Sequence, residues 1–329
     1  MDELSLSSRT ALPQVATWFN ACRTFHISCT VLANQPLPTR LLFIDTSAVR
    51  LRVSEEIQGH PSYATLSHCW GSQTFLTLTK YNITSFQKSI PPEALSQTFR
   101  DAIEIVRFVG LRYLWIDSLC IIQDDNDDWA KESSLMTSVY GGSTLNIAAS
   151  AASDGRVGCF LPRDPSWRFQ MQVNIHSERI IYEAEHDMRG SIMDSALAKR
   201  GWALQERVLP YRTIHFTEGQ VFWECNKNVL CEVFPSFYQR QNLRWPLDGQ
   251  PVSQDNWYRI VMAYASTSLT KCTDKLVAIS GVAQLVQSIS GGEYIAGMWR
   301  KDLELQLCCP WEGRKIFAIH STNLVVGLH

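Results

Sequence analysis

Tyr113-Leu114-Trp115-Ile116-Asp117-Ser118-Leu119-Cys120, a polar turn over Asp124-Asp125-Asn126-Asp127-Asp128, and Thr144-Leu145-Asn146-Ile147-Ala148-Ala149 together decide the fold. Both apolar runs are short, continuous and bounded by polar residues, the pattern of a strand buried on two faces. Between them Trp129, Ser133, Met136 and Tyr140 recur at helical spacing, with Asn126 or Asp127 as expected cap and Gly141-Gly142 as stop. Strand, helix and strand within about 40 residues make a βαβ unit.

Upstream, Tyr63-Ala64-Thr65-Leu66-Ser67 adds a short strand that ends at His68-Cys69-Trp70-Gly71. Phe99, Ala102, Ile103, Val106 and Val109 then form one apolar helical stripe, with Thr98 as expected cap and Gly110 as stop. The expected class is α/β, with a mostly parallel sheet and an additional α+β C-terminal region. Residues 1–60 read as an extension packed on the core, 61–225 as the core, and 226–329 as a mainly helical region. Thr213-Ile214-His215-Phe216 and Val221-Phe222-Trp223-Glu224 flank a hairpin turn containing Gly219. Asp274 is expected to cap a helix bearing Leu276, Ile279, Ala283 and Val286 on one face; from Cys308 onward no period emerges.

Composition narrows the function classes. The chain has 329 residues, 45% hydrophobic and 19% charged, with a formal net charge of −2. Such a chain has material for a large core and is neither disordered nor a coiled coil. No Lys/Arg run supplies an electrostatic footprint for nucleic acid. No apolar stretch approaches the roughly 18 residues that span a bilayer. Met1-Asp2-Glu3 opens without a signal-peptide pattern, so a cytoplasmic location is expected. The ten cysteines are scattered, which fits reduced, buried thiols.

In open α/β sheets, ligands bind beyond the carboxyl ends of the strands. Ser67, His68 and Cys69 follow one strand; Asp117, Ser118 and Cys120 follow another. If those strands are neighbours, a thiol, an imidazole and a carboxylate share a crevice, the arrangement of an activated thiolate. The plainer alternative is that His68 and Asp117 close the loops by hydrogen bonding. Glu132, early in its helix, reads as a surface acid or as a crevice carboxylate. Glu206 lies among apolar residues between Arg200 and Arg207 and reads as a structural ion pair or a general base. Arg207 suits an anionic ligand.

Cys22-x3-His26-x2-Cys29 resembles half a zinc site, and on a continuous helix the three positions share a face. With no partner pair to complete it, core packing is the expectation and no metal is assigned. Cys225-x5-Cys231 is weaker. No GxGxxG, Walker, GxSxG or HExxH motif occurs.

Three blocks, Tyr63 to Gly71, Tyr113 to Asp125 and Arg200 to Arg207, resemble in order, spacing and wording the signature blocks of the fungal heterokaryon-incompatibility (HET) domain. The resemblance extends to Thr39-Arg40-Leu41-Leu42-Phe43-Ile44-Asp45 upstream, and downstream to Leu269 to Leu276 and Ala296-Gly297-Met298-Trp299. It implies a flavodoxin/TIR-like core and a role in fungal non-self recognition and regulated cell death. It further implies a glutamate, Glu132 or Glu206, acting on NAD as substrate by analogy with glycoside hydrolysis. Ser67, Trp70, Gln123 and Arg207 are then expected to hold the ligand, with no resident cofactor. A protein partner acting in trans and oligomerisation are expected too. Cys308-Cys309-Pro310 onward departs from the family pattern and reads as a truncated or mis-spliced ending. Two alternatives stand beside this reading. One is an enzyme of small-molecule biosynthesis using His68, Cys69, Asp117 or Cys120; the other is a non-catalytic interaction module.

Overall fold

The computed structural model describes residues 7–31, 36–163, 170–175, 178–183, 188–232, 235–236, 256–301 and 303–304. The ending from Cys308 onward, expected to be unrelated to the family, lies outside the described residues. Helix α1 (Leu12–Phe25) precedes strands β1 (Arg40–Ile44), β2 (Val49–Val53) and β3 (Tyr63–Ser67). Helices α2 (Ile83–Lys88) and α3 (Gln97–Phe108) lead to β4 (Tyr113–Trp115), α4 (Asp117–Cys120), α5 (Asn126–Gly141) and β5 (Leu145–Ala148). After a separate hairpin, β6 (Gln170–Ile175) and β7 (Glu178–Glu183), come α6 (Met188–Met193) and α7 (Ala203–Val208). Strands β8 (Arg212–Phe216), β9 (Val221–Cys225) and β10 (Val229–Cys231) follow. Helices α8 (Trp257–Ala265) and α9 (Val277–Ser290) and a small hairpin, β11 (Tyr294–Ile295) with β12 (Met298–Trp299), complete the described elements.

The main sheet has eight strands in the order β10-β9-β8-β5-β3-β4-β1-β2. Its centre is parallel: β4 and β5 flank β3, and β8 lies beside β5. Its flanks are antiparallel, β1 with β2 and β4 on one side and β8, β9 and β10 on the other. Numbered among themselves, the four parallel strands run second, first, third, fourth, which is the flavodoxin order; the direction of winding reverses between β3 and β5. The α/β expectation therefore holds, although the parallel pairing is confined to the middle. The sheet also crosses positions 60/61 and 225/226, because β1 and β2 precede the first and β10 follows the second.

The central strands are apolar for the reason the sequence suggests. Leu114, Leu145 and Ile147 have no exposed surface, and burying each such side chain contributes about 1.5–3 kcal/mol. Helices α5, α7 and α9 pack on one another, while α1 lies on α3 and β9. A second apolar cluster joins Leu204 and Val208 of α7 to Trp257, Ile260, Ile279, Val282 and Trp299.

Three caps differ from expectation. For α3 the cap is Ser96, whose hydroxyl accepts from Phe99 N at 3.3 Å. Thr98 is instead buried, its backbone N–H and hydroxyl both donating to the Gly155 carbonyl. For α5 the cap is Asp125, accepting from the backbone N–H groups of Asp127 and Asp128, so Asn126 and Asp127 fall inside the helix. Asp274 sits in a 3-10 turn (Cys272–Lys275), and α9 starts at Val277 without a side-chain cap. Leu276 is accordingly exposed rather than on the apolar face.

Candidate functional site

Strands β3 and β4 are parallel neighbours, so the residues after each meet at one end of the sheet. Trp70 Nε1 donates to Asp117 Oδ2 at 2.8 Å, and Asp117 Oδ1 accepts from the backbone N–H of Ser118. His68 Nδ1 lies 3.8 Å from Asp117 Oδ1, too far for a hydrogen bond, and its Nε2 is buried without a partner. Phe75 and Phe99 present ring edges to the imidazole. Burial pushes the His68 pKa down to about 4 against the pull of Asp117, so the ring is neutral. Arg200 reaches across from the segment before α7 and donates to the His68 carbonyl.

Glu206, on α7, completes this cluster. It is buried, and its Oε2 has no hydrogen-bond partner. Burial raises its pKa to about 7; Arg200 opposes the rise, Asp117 adds to it, and the hydroxyls of Ser67 and Tyr140 oppose it. A carboxyl that titrates near neutrality exchanges a proton readily at physiological pH. His68, Asp117, Arg200 and Glu206 thus share one electrostatic neighbourhood, though they come from three distant stretches of sequence. Of the two flanking arginines, Arg200 is the one whose charge acts on Glu206, without a direct ion pair to it among the described residues. Gly71 turns the chain out of this region at φ 69° against Asp154, a backbone setting that favours glycine.

Arg207 faces the other way. Its Nε is 3.0 Å from Glu224 Oε2, and Glu224 also contacts His215 Nε2 at 3.0 Å. His215 Nδ1 in turn lies 3.4 Å from the Ser150 hydroxyl. Arg207, His215 and Ser150, with Ser67 and Asn146, line a small pocket of about 30 Å³ at the carboxyl ends of β3, β5 and β8. That volume matches roughly one water molecule. It lies where the winding of the parallel strands reverses, the usual ligand position in such sheets.

The remaining predicted residues are placed elsewhere or oriented otherwise. Glu132 is buried rather than on the surface, and it faces Thr39, Arg40 and Asp128, none of which belongs to the Glu206 cluster. Arg40 is the reason: its Nη2 bonds Asp128 at 2.7 Å and lies 3.8 Å from Glu132, while its Nε donates to the Cys120 carbonyl. Gln123 closes its own loop by donating to the carbonyls of Asp117 and Ile121. Cys69 packs among Ala148, Leu197 and Ala203, and burial raises its thiol. Burial likewise pushes the fully enclosed Cys120 thiol up to about 12. Both shifts run opposite to what an activated thiolate needs.

Sequence reasoning did not single out Tyr140, Asn146, Ser150, His215 and Glu224 as site residues. The signal existed for two of them: His215 and Glu224 interrupt the apolar residues of one hairpin, where they are diagonal neighbours, His215 opposite Phe222 and Glu224 opposite Thr213. Buried charge inside an apolar strand requires a partner.

Residues 63–206 match the family model of the heterokaryon incompatibility protein (HET). These residues form a HET domain. It opens on the first residue of β3 and closes on Glu206, so His68, Asp117, Tyr140, Arg200 and Glu206 all lie within it. Arg207, His215 and Glu224 lie outside the HET domain. No curated protein and no solved structure matches the chain. Within the described residues, no helix is long and apolar enough to cross a membrane.

Proposed function

We propose that this protein is an effector of fungal non-self recognition and regulated cell death, acting in the cytoplasm with a recognition partner in trans. Its HET domain hydrolyses the N-glycosidic bond of a nicotinamide dinucleotide, and Glu206 is the catalytic carboxyl. The observation that carries this reading is Glu206 itself, buried, with an unpartnered oxygen and a pKa near 7 beside Arg200. In the carboxylate form it stabilises the oxocarbenium-like ribose as the glycosidic C–N bond breaks and the electron pair passes to the pyridinium nitrogen. Water then adds to the ribose carbon, and Glu206 takes its proton before releasing it to solvent. The water-sized pocket is lined by Ser67, one of the hydroxyls beside Glu206, which suits a hydrolytic water. Asp117 and Trp70 fix the loop over the cluster. The rival thiol chemistry has both cysteines protonated against it.

Incubating purified protein with NAD and following nicotinamide release tests the reading. Wild type is expected to release nicotinamide, and Glu206→Gln to lose at least about 100-fold of the rate. Glu132→Gln, at the Arg40 side of the sheet, is expected to keep it. NAD left intact by the wild type, or cleaved equally well by Glu206→Gln, overturns the assignment; toxicity that survives the substitution then favours an interaction module.

A further inference from the structure

Cys22, His26, Cys29 and Cys225 present three sulfurs and a ring nitrogen that all lie within 4.8 Å of one another. The sequence showed only the first three. A continuous helix was expected to align them, but α1 ends at Phe25, His26 caps it, and Ile27–Cys29 form a 3-10 turn. That turn folds Cys29 back toward Cys22, and the end of β9 delivers Cys225 from about 200 residues away in sequence. The missing fourth donor is therefore a strand residue, which no local spacing rule could reveal.

We propose that these four side chains bind a structural zinc ion in a Cys3His site. Zinc takes four such ligands at about 2.0–2.3 Å, which places neighbouring sulfurs about 3.8 Å apart in a tetrahedron. Side-chain movements of about 1 Å or less bring the observed cluster to that spacing. Soft thiolates with one imidazole select zinc over magnesium or calcium.

The surroundings supply what such a centre needs. His26 Nδ1 faces Cys225 Sγ at 3.5 Å, while Nε2 is engaged by the Asn228 side-chain amide at 3.3 Å. With the Asn228 amide turned so that its oxygen accepts from Nε2–H, this second contact orients the ring and leaves Nδ1 for the metal. The Asn228 backbone N–H donates to Cys225 Sγ at 3.3 Å, as thiolates bound to a metal require. Asn226 ties the same turn to the Ser28 carbonyl at 2.8 Å.

Charge gives an independent argument. Arg212 is buried, its Nε is 3.2 Å from Cys22 Sγ, and no carboxylate pairs with it among the described residues. A buried guanidinium without an anion is costly. Zinc with three thiolates and a neutral imidazole carries one net negative charge, so the loaded site supplies the counter-ion that Arg212 otherwise lacks. The ion would then fasten α1 to β9 of the main sheet.

Metal analysis of the full chain, purified under reducing conditions from zinc-supplemented medium, tests the site. About one zinc per chain is expected, with Cys225→Ser losing it. After chelation, cobalt(II) is expected to give the visible bands of a tetrahedral ion and thiolate charge-transfer absorption. His26→Cys guards against a misfolded serine variant, since it should retain one metal while shifting the cobalt spectrum toward four-sulfur coordination. Wild type without zinc and without a tetrahedral cobalt spectrum overturns the proposal. So does a disulfide among Cys22, Cys29 and Cys225, or a cobalt spectrum that His26→Cys leaves unchanged.

Discussion

Glu206 and Glu224 are both buried glutamates beside an arginine, yet they titrate in opposite directions. Glu206 rises to about 7, whereas Glu224 is held at about 2. Burial pushes both upward, so the difference lies in the partners. Glu224 receives both Nε and Nη2 of Arg207 and a contact from His215. Glu206 shares Arg200 with Asp117, whose negative charge works against it, and keeps one oxygen unbonded. One pair is a closed ionic network; the other is left unsatisfied inside the HET domain. Unsatisfied buried polar groups are where chemistry concentrates.

The largest effect expected from breaking this contrast comes from Arg207→Met. It strands Glu224 as a buried carboxylate and is expected to cost about 3–5 kcal/mol, read by urea unfolding. A loss below about 1 kcal/mol would show that the network is worth no more than a surface pair.

Next in size is the pH behaviour of Glu206→Gln. Between its ordinary 4.5 and about 7, folded Glu206 holds a proton that the unfolded chain has released. The wild type therefore loses stability as pH rises through that window, by about 3 kcal/mol at pH 7. His68, depressed from 6.5 to about 4, contributes the opposite slope between those values, since it stays neutral while the unfolded ring charges. The Glu206 contribution is thus read as the difference between variant and wild type. Glu206→Gln should gain on the wild type progressively from pH 4.5 to 7 and stay level above. Glu224 follows the other sign, its stabilisation lost as pH falls from 4.5 toward 2. A difference that is flat with pH would contradict the raised pKa.

The smallest effect sharpens the comparison by disturbing α7, which carries both Glu206 and Arg207. A Cβ on Gly281 of α9 would sit 2.7 Å from the side-chain oxygens of Gln205 and Thr137. Gly281→Ala is expected to cost about 1–3 kcal/mol, seen as a lower Tm. An unchanged Tm would mean that α7 shifts freely.

Much of this was legible from local pattern. Leu114, Leu145 and Ile147 announce buried strands, and the residues after β3 and β4 point to one crevice on the condition that those strands are neighbours. Local pattern failed where long-range geometry decides. Glu132 looked like a first-turn surface acid because nothing nearby in sequence reveals Arg40 above it. Ser96 and Asp125 took the caps because the helices begin one or two residues earlier than their apolar stripes suggest. His215 and Glu224 looked like ordinary hairpin residues, since their network closes only through Arg207 on α7 and Ser150 after β5.

The mixed sheet bears on how this polypeptide can be divided. Of its eight strands, only β3, β4 and β5 fall within residues 63–206. A fragment trimmed to the borders of the family match would keep the residues of the Glu206 cluster but discard β8, the neighbour on which β5 leans, and the antiparallel flanks beyond. Two raw strand edges would face solvent, an invitation to pair with other chains. The unit that folds is larger than the unit that is recognisable.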